Sequence, residues 1–186
     1  DLRNLLVKES ILANKKREIS YDYDPVGNRI AVTDARNNKT EYVYDALNRN
    51  IEILDRRDLS TKFVYDGAGN QLKIIDPRSG VTEFNYDPGN RLIGFIDAEG
   101  RETSYQYDAL DNQIVQTTAV GILGAGSQGE EVTTFKYDVE NNLREIVDAK
   151  NQSTTFGFDR VYNETEVVDA RGNKSLTRFD ALNRVV

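Results

Sequence analysis

Tyr23, Tyr44, Tyr65, Tyr86 and Tyr107 recur at every twenty-first position, and each is followed by Asp. The spacing lengthens to thirty at Tyr137, and the shorter period then returns with Phe158-Asp159 and Phe179-Asp180. A fixed period of this length means that one small supersecondary unit is repeated, and it constrains the fold more tightly than composition does. Residues 20–186 read as eight such units, the last truncated, with one nine-residue loop insertion near 119–129. Residues 1–19 read as a partial leading hairpin of the same array.

Other columns keep the register. Two positions before each aromatic stands a second aromatic in seven units, among them Tyr21, Tyr42, Phe63 and Tyr105, and two positions earlier again comes Thr40, Thr61, Thr82 or Thr103. Thr, aromatic, aromatic at alternate positions is the period and composition of a β-strand. Ten positions after most of the first Asp residues comes another, at Asp34, Asp55, Asp76, Asp97, Asp148 and Asp169. Between the two columns, pairs such as Ile51 and Ile53 or Leu72 and Ile74 mark a second strand. Both Asp columns open turns. Asp24 with Gly27, Asp45 with Asn48, Asp66 with Gly69, Asp97 with Gly100, Asp148 with Asn151 and Asp169 with Gly172 place a side-chain acceptor three positions before a residue that tolerates positive φ.

The odd period bears on the faces. If the strands are antiparallel and unbulged, an odd shift requires one turn with an even loop and one with an odd loop. Assigning the even loop to the Tyr-Asp turn puts the aromatics on one face with the Ile, Val and Leu column. The other face is then polar, carrying Glu41, Glu52, Lys62, Lys73 and Glu83.

One unit offers about four large side chains for burial, worth about 1.5 to 3 kcal/mol each. Against this stands roughly 1 to 2 kcal/mol of backbone entropy for every ordered residue. A single unit therefore does not fold, and stability must come from neighbours. The expected fold is all-β, an array of antiparallel 21-residue hairpins forming a curved single-layer strip. Sixteen strands at about 4.8 Å give a strip of about 77 Å, too short to enclose another domain, and the chain reads as a piece of something longer.

Composition narrows function. There is no Cys and no His, which removes thiolate sites and the commonest metal ligand and general base. A net charge of -7 with scattered Lys and Arg argues against nucleic acid. No apolar run is long enough to span a bilayer, and the first residues lack the order of a signal peptide.

The strings "YDPVGNR", "YDALNRN", "YDGAGNQ" and "FDALNRV" closely resemble the Rhs or YD repeat, and the resemblance covers Ser20 to Val186. Its relatives include bacterial polymorphic toxins, wall-associated proteins, toxin-complex C components and teneurins. The resemblance implies a segment of an Rhs-type β-shell whose partners are the rest of that shell and an enclosed effector domain. It also implies a secreted or cell-surface, bacterial setting. Asp24-Pro25-Val26-Gly27 has the letters of a self-cleavage element but sits at an ordinary repeat turn.

Sharper motifs fit this frame less well. Gly124 to Gly129 matches G-x-G-x-x-G, yet a strand rather than a helix is due next, so no cofactor is expected. The Asp residues alternate ten and eleven apart on separate turns, which suits capping rather than a calcium site. No carboxylate pair departs from the repeat, and neither catalytic nor metal residues are assigned. Rows of Tyr21, Tyr23, Tyr42, Tyr44, Tyr105 and Tyr107 would suit stacking on a sugar. The alternative reading is thus a surface adhesion or carbohydrate-binding module. Open strand edges also invite self-association.

Overall fold

The structure, a computed structural model, describes residues 8–13, 15–121 and 129–186. The G-x-G-x-x-G string, apart from Gly129, lies outside them. The chain divides into two units, Asp1–Phe84 and Asn85–Val186. The first contains β1 (Lys8–Ala13), β2 (Lys15–Tyr23), β3 (Arg29–Thr33), β4 (Lys39–Tyr44), β5 (Asn50–Leu54), β6 (Ser60–Tyr65) and β7 (Gln71–Ile75), and it ends within β8 (Val81–Tyr86). The second contains β9 (Leu92–Ile96), β10 (Glu102–Tyr107), β11 (Gln113–Ala119), β12 (Glu130–Tyr137), β13 (Leu143–Val147), β14 (Ser153–Phe158), β15 (Glu164–Val168) and β16 (Lys174–Leu176). Within each unit every strand pairs antiparallel with its neighbours in sequence, as the hairpin array requires.

One turn geometry serves fourteen of the connections among the described residues. At fourteen Asp residues the backbone N–H donates to the carbonyl four positions on, and the residue three on donates its N–H back to the Asp carbonyl. That third residue is left-handed throughout, from Gly27 (φ 101) and Asn48 (φ 60) to Asp58 (φ 59), Ser79 (φ 68) and Tyr162 (φ 67). This is the three-residue hairpin loop, a type I turn closed by a residue at positive φ.

The even and odd loops expected from the odd period are therefore not what the chain uses. Both turns have the same loop, and the parity comes from a bulge. Val43 lies opposite Glu52 but Tyr44 lies opposite Asn50, so Ile51 is an extra residue. The same irregularity recurs beside Tyr23, Tyr65, Tyr107, Tyr137 and Phe158. Two equal loops alone would make the period even, and one bulge per repeat makes it odd.

Past the bulge the faces fall as the apolar pattern required. Tyr42 lies opposite Ile53 and Ile53 opposite Thr61, while Val43, Glu52 and Lys62 share the other face. That second face is less polar than expected, because Glu41 stands opposite Leu54 and Lys62 opposite Ile75. Following the pairs from Tyr42 through Ile53 leads to Thr61, not to Phe63, the next aromatic in that column. Each repeat is thus offset along its predecessor by two positions, roughly 7 Å. In the second unit Phe135 leads through Ile146 to Thr154, again two short of Phe156. Across the insertion, Tyr105 leads through Gln116 to Thr133, two short of Phe135. The offset survives the longer spacing. The described ends of the longer connection are joined by a bond from Val120 N–H to the Gly129 carbonyl.

Among the described residues there is no packed core. Only Ala31, 3% exposed, is a buried hydrophobe, and Thr103 is the buried polar residue. A single layer leaves both faces half-covered, and stability must lie within the sheet.

Tyr162 tests the turn directly. A bulky residue in the left-handed region costs roughly 1–2 kcal/mol, and Tyr162 is exposed. Tyr162→Gly should raise stability by about 1 kcal/mol in urea unfolding, whereas a loss would mean that the ring contributes packing here.

Candidate functional site

The densest chemistry lies along the rim of the Tyr-Asp turns. Asp45 Oδ1 accepts the N–H groups of Leu47 (2.9 Å) and Arg49 (3.0 Å), which fixes the loop, and Oδ2 accepts Arg49 Nε at 2.7 Å. The Arg49 amide above all, with its guanidinium, holds the Asp45 carboxyl below the usual carboxylate value against the opposing effect of burial. Asp24, Asp66, Asp97 and Asp169 among the expected turn residues are likewise held low by their turn bonds, and burial opposes this at each. Asp148 accepts the amides of Lys150 and Gln152 in the same manner. Gly27, Asn48, Gly69, Gly100, Asn151 and Gly172 all occupy the left-handed corner.

From that anchor Arg49 reaches into the next repeat. Its Nη1 donates to the Asp66 carbonyl at 2.7 Å, and its guanidinium carbon lies 4.9 Å from the centre of the Tyr65 ring. Tyr65 closes the circuit by donating its hydroxyl to the Asn50 carbonyl at 3.0 Å, back in the first repeat. The second unit repeats the arrangement. Arg91 binds Asp87 (2.6 Å) and Asp111 (2.5 Å) and lies 5.1 Å from the Tyr107 ring, and the Tyr107 hydroxyl donates to the Leu92 carbonyl at 2.7 Å. Tyr44 and Tyr137 donate likewise to the carbonyls of Arg29 and Gln113. Where Phe158 has no hydroxyl, Arg144 covers its ring at 5.0 Å while bound to Asp138.

These contacts answer what the repeated dipeptide does. Asp sets the turn, and the aromatic receives the cation that this turn positions. Ring faces, hydroxyls and carboxylates are engaged within the sheet. Of the tyrosines read as stacking candidates, Tyr21 and Tyr42 lie under the Arg29 guanidinium, at 5.9 and 5.2 Å. Tyr44 and Tyr107 spend their hydroxyls on backbone, Tyr105 lies 6.5 Å from Phe95, and Tyr23 is half-buried. Burial raises the Tyr44 and Tyr105 hydroxyls above the ordinary phenol value.

Sequence reasoning missed the arginines and the residue four after each Asp, although their fixed offset from Asp was a visible signal. It read turns at Asp55, Asp76, Asp108 and Asp159 but named no left-handed corner for them, and those corners are Asp58, Ser79, Asp111 and Tyr162 rather than Gly or Asn. The opposite face carries weaker ion pairs, Lys62 with Glu52 (3.7 Å) and Lys136 with Glu145 (2.7 Å), of a kind worth little individually. The two rims differ in chemistry. Tyr-Asp turns expose Val26, Leu47, Leu110 and Leu182 at their tips, whereas the other turns expose Arg36, Arg57, Arg78, Lys150 and Arg171.

The model of the RHS Repeat family matches residues 23–57, 86–122 and 137–174, more than half of the chain. The chain belongs to the RHS repeat family. Its fold is that of "Crystal Structure of TcdB2-TccC3-Cdc42" (TM-score 0.76, 18% identity) and of "Structure of Photorhabdus luminescens Tc holotoxin pore, Mutation TccC3-D651A" (TM-score 0.72, 20% identity). Each match covers 95% of this chain and 10% of the other, so this RHS segment spans about a tenth of those chains. No curated protein matches it.

If the arginine carries the contact between RHS repeats, Arg49 and Tyr65 must be energetically coupled. A double-mutant cycle with Arg49→Ala and Tyr65→Leu should give about 0.5–1 kcal/mol of coupling, and Arg49→Lys, lacking the forked donor, should not recover it. Additive losses would remove the ring contact from the account.

Proposed function

We propose that this segment is structural: a stretch of wall in an Rhs-type shell that encloses or presents an effector domain, with no catalytic role of its own. The observation that carries this reading is the coreless single layer held by contacts between repeats. Such a sheet extends by adding units and supplies area rather than a pocket. Membership of the RHS repeat family and a fold shared with toxin-complex chains support it. The wall's partners are then the remainder of the parent shell and the effector, in a secreted or cell-surface setting. As an isolated piece it pairs with a second copy through its open strand edges.

A surface adhesion or glycan-binding module is the competing class. Several of the tyrosines it would use already have a guanidinium on one face or a hydroxyl given to backbone. The two are separated by limited proteolysis of the full-length parent. A shell protects the effector domain until latch changes such as Arg49→Ala with Arg91→Ala loosen the wall. An effector cut as fast inside the parent as when expressed alone contradicts the shell. Glycan-array binding abolished by Tyr42→Ala and Tyr105→Ala would establish the module instead.

A further inference from the structure

The residue four after each Tyr-Asp or Phe-Asp turn aspartate is either Asn or Arg, and the structure shows that this choice is matched in the following repeat. Asn28 Nδ2 donates to Asn48 Oδ1 at 2.8 Å, Asn112 to Asn141 at 2.6 Å and Asn163 to Asn183 at 3.0 Å. In each pair the acceptor is the left-handed corner of the next Tyr-Asp or Phe-Asp turn. Where the residue is Arg the next corner is not Asn. Arg49 faces a turn with Gly69 and bonds the Asp66 carbonyl, and Arg91 faces Asp111 and forms an ion pair with it. The exception is informative. After Asn142 the next corner is Tyr162, which offers no amide acceptor, and there Arg144, two positions further along, takes over the ring contact with Phe158.

We propose that these two positions form a pairing code between successive repeats, in which Asn pairs with an Asn corner and Arg91 with the Asp111 corner, while Arg49, facing Gly69, takes the Asp66 carbonyl instead. The inference concerns contacts inside the sheet and stands whether or not the segment walls a shell. Its physical need is clear. Strand pairing and the Asp turns are nearly the same in every repeat, so the backbone ladder alone does not distinguish the correct neighbour from one displaced by a whole repeat, or from the same strand of a second copy. Side chains must supply the difference. A polar pair that forms only in one alignment does this, more weakly at these exposed positions than the single buried Asn that fixes register in coiled coils. Slipping the array by one repeat sets Asn28 against Gly69, leaving its outward amide without the acceptor it has at Asn48. The specificity-determining pairs are thus Asn28 with Asn48, Arg91 with Asp111, Asn112 with Asn141 and Asn163 with Asn183, with Arg49 serving the turn at Asp66.

The code is tested by rewriting one contact in the full chain. Arg49→Asn keeps the bond to Asp45 that Asn28 makes to Asp24 but removes the reach to the next repeat. It should lower the melting temperature by about 2–4 °C, the shift expected of one such contact in a chain of this size. Gly69→Asn supplies the matching acceptor where a Cβ meets nothing within 4 Å, but the φ of +97 strains any side chain there, so its own cost is read from the single Gly69→Asn variant. The losses should be non-additive, the loss of the double variant falling short of the sum of the two single losses by at least half of the Arg49→Asn loss. A double variant whose loss equals or exceeds the sum of the two single losses overturns the code. An independent reading comes from Asn112→Ala and Asn141→Gly, the latter keeping the left-handed corner. Their losses should be non-additive, the double change lowering the melting temperature by clearly less than the sum of the singles, and simple addition overturns the code at that pair.

Discussion

The structure depends on a carboxylate that accepts backbone amides two and four positions ahead of it. In a protein with a core, a misplaced turn is corrected by packing, because the wrong register exposes apolar surface. Here almost nothing is buried, with Ala31 the buried hydrophobe among the described residues. Turn placement is therefore set locally, and the Asp side chain sets it. Once Asp45 has captured the amides of Leu47 and Arg49, the loop length is fixed, the corner at Asn48 is fixed, and the side chain of Arg49 is delivered to the next repeat.

From that delivery follows the rest. Arg49 over Tyr65, and the Tyr65 hydroxyl on the Asn50 carbonyl, tie two repeats together in both directions. Each contact is modest, about 0.5–2 kcal/mol for a cation over a ring, but it recurs at Arg91 and Arg144. Stability then accumulates with length as nearest-neighbour terms, as expected of a repeat protein. The longer spacing after Ala119 leaves the register unchanged, with Tyr105, Gln116 and Thr133 aligned as in the other repeats.

Strand existence, antiparallel order and the Asp turns were legible in the sequence because each leaves a local signature: alternation at Thr40, Tyr42 and Tyr44, and Asp three positions before Gly27 or Asn48. The bulge was not. Ile51 is an ordinary strand residue, and its only trace is that the period is odd, which two unequal loops would explain as well. The cation over the ring was hidden for a different reason. Arg49 and Tyr65 belong to separate repeats, and their meeting depends on the register that the bulge creates. Similarly, Tyr162 gives no hint by type that it occupies a corner built for Gly or Asn.

Ionised turn carboxylates hold the sheet. Twelve of the turn Asp residues have carboxyls lowered from an ordinary value of 3.8 in the folded protein. A group lowered on folding contributes stability that is present above its unfolded pKa and is lost as pH falls through the folded one. The decisive measurement is the free energy of urea unfolding from pH 7 down to pH 2. Stability should hold steady to about pH 5 and then fall steeply below about pH 4, with a slope corresponding to uptake of several protons on unfolding. A curve that stays flat from pH 7 to pH 3 would show that the carboxylates do not hold the turns, and would contradict the account.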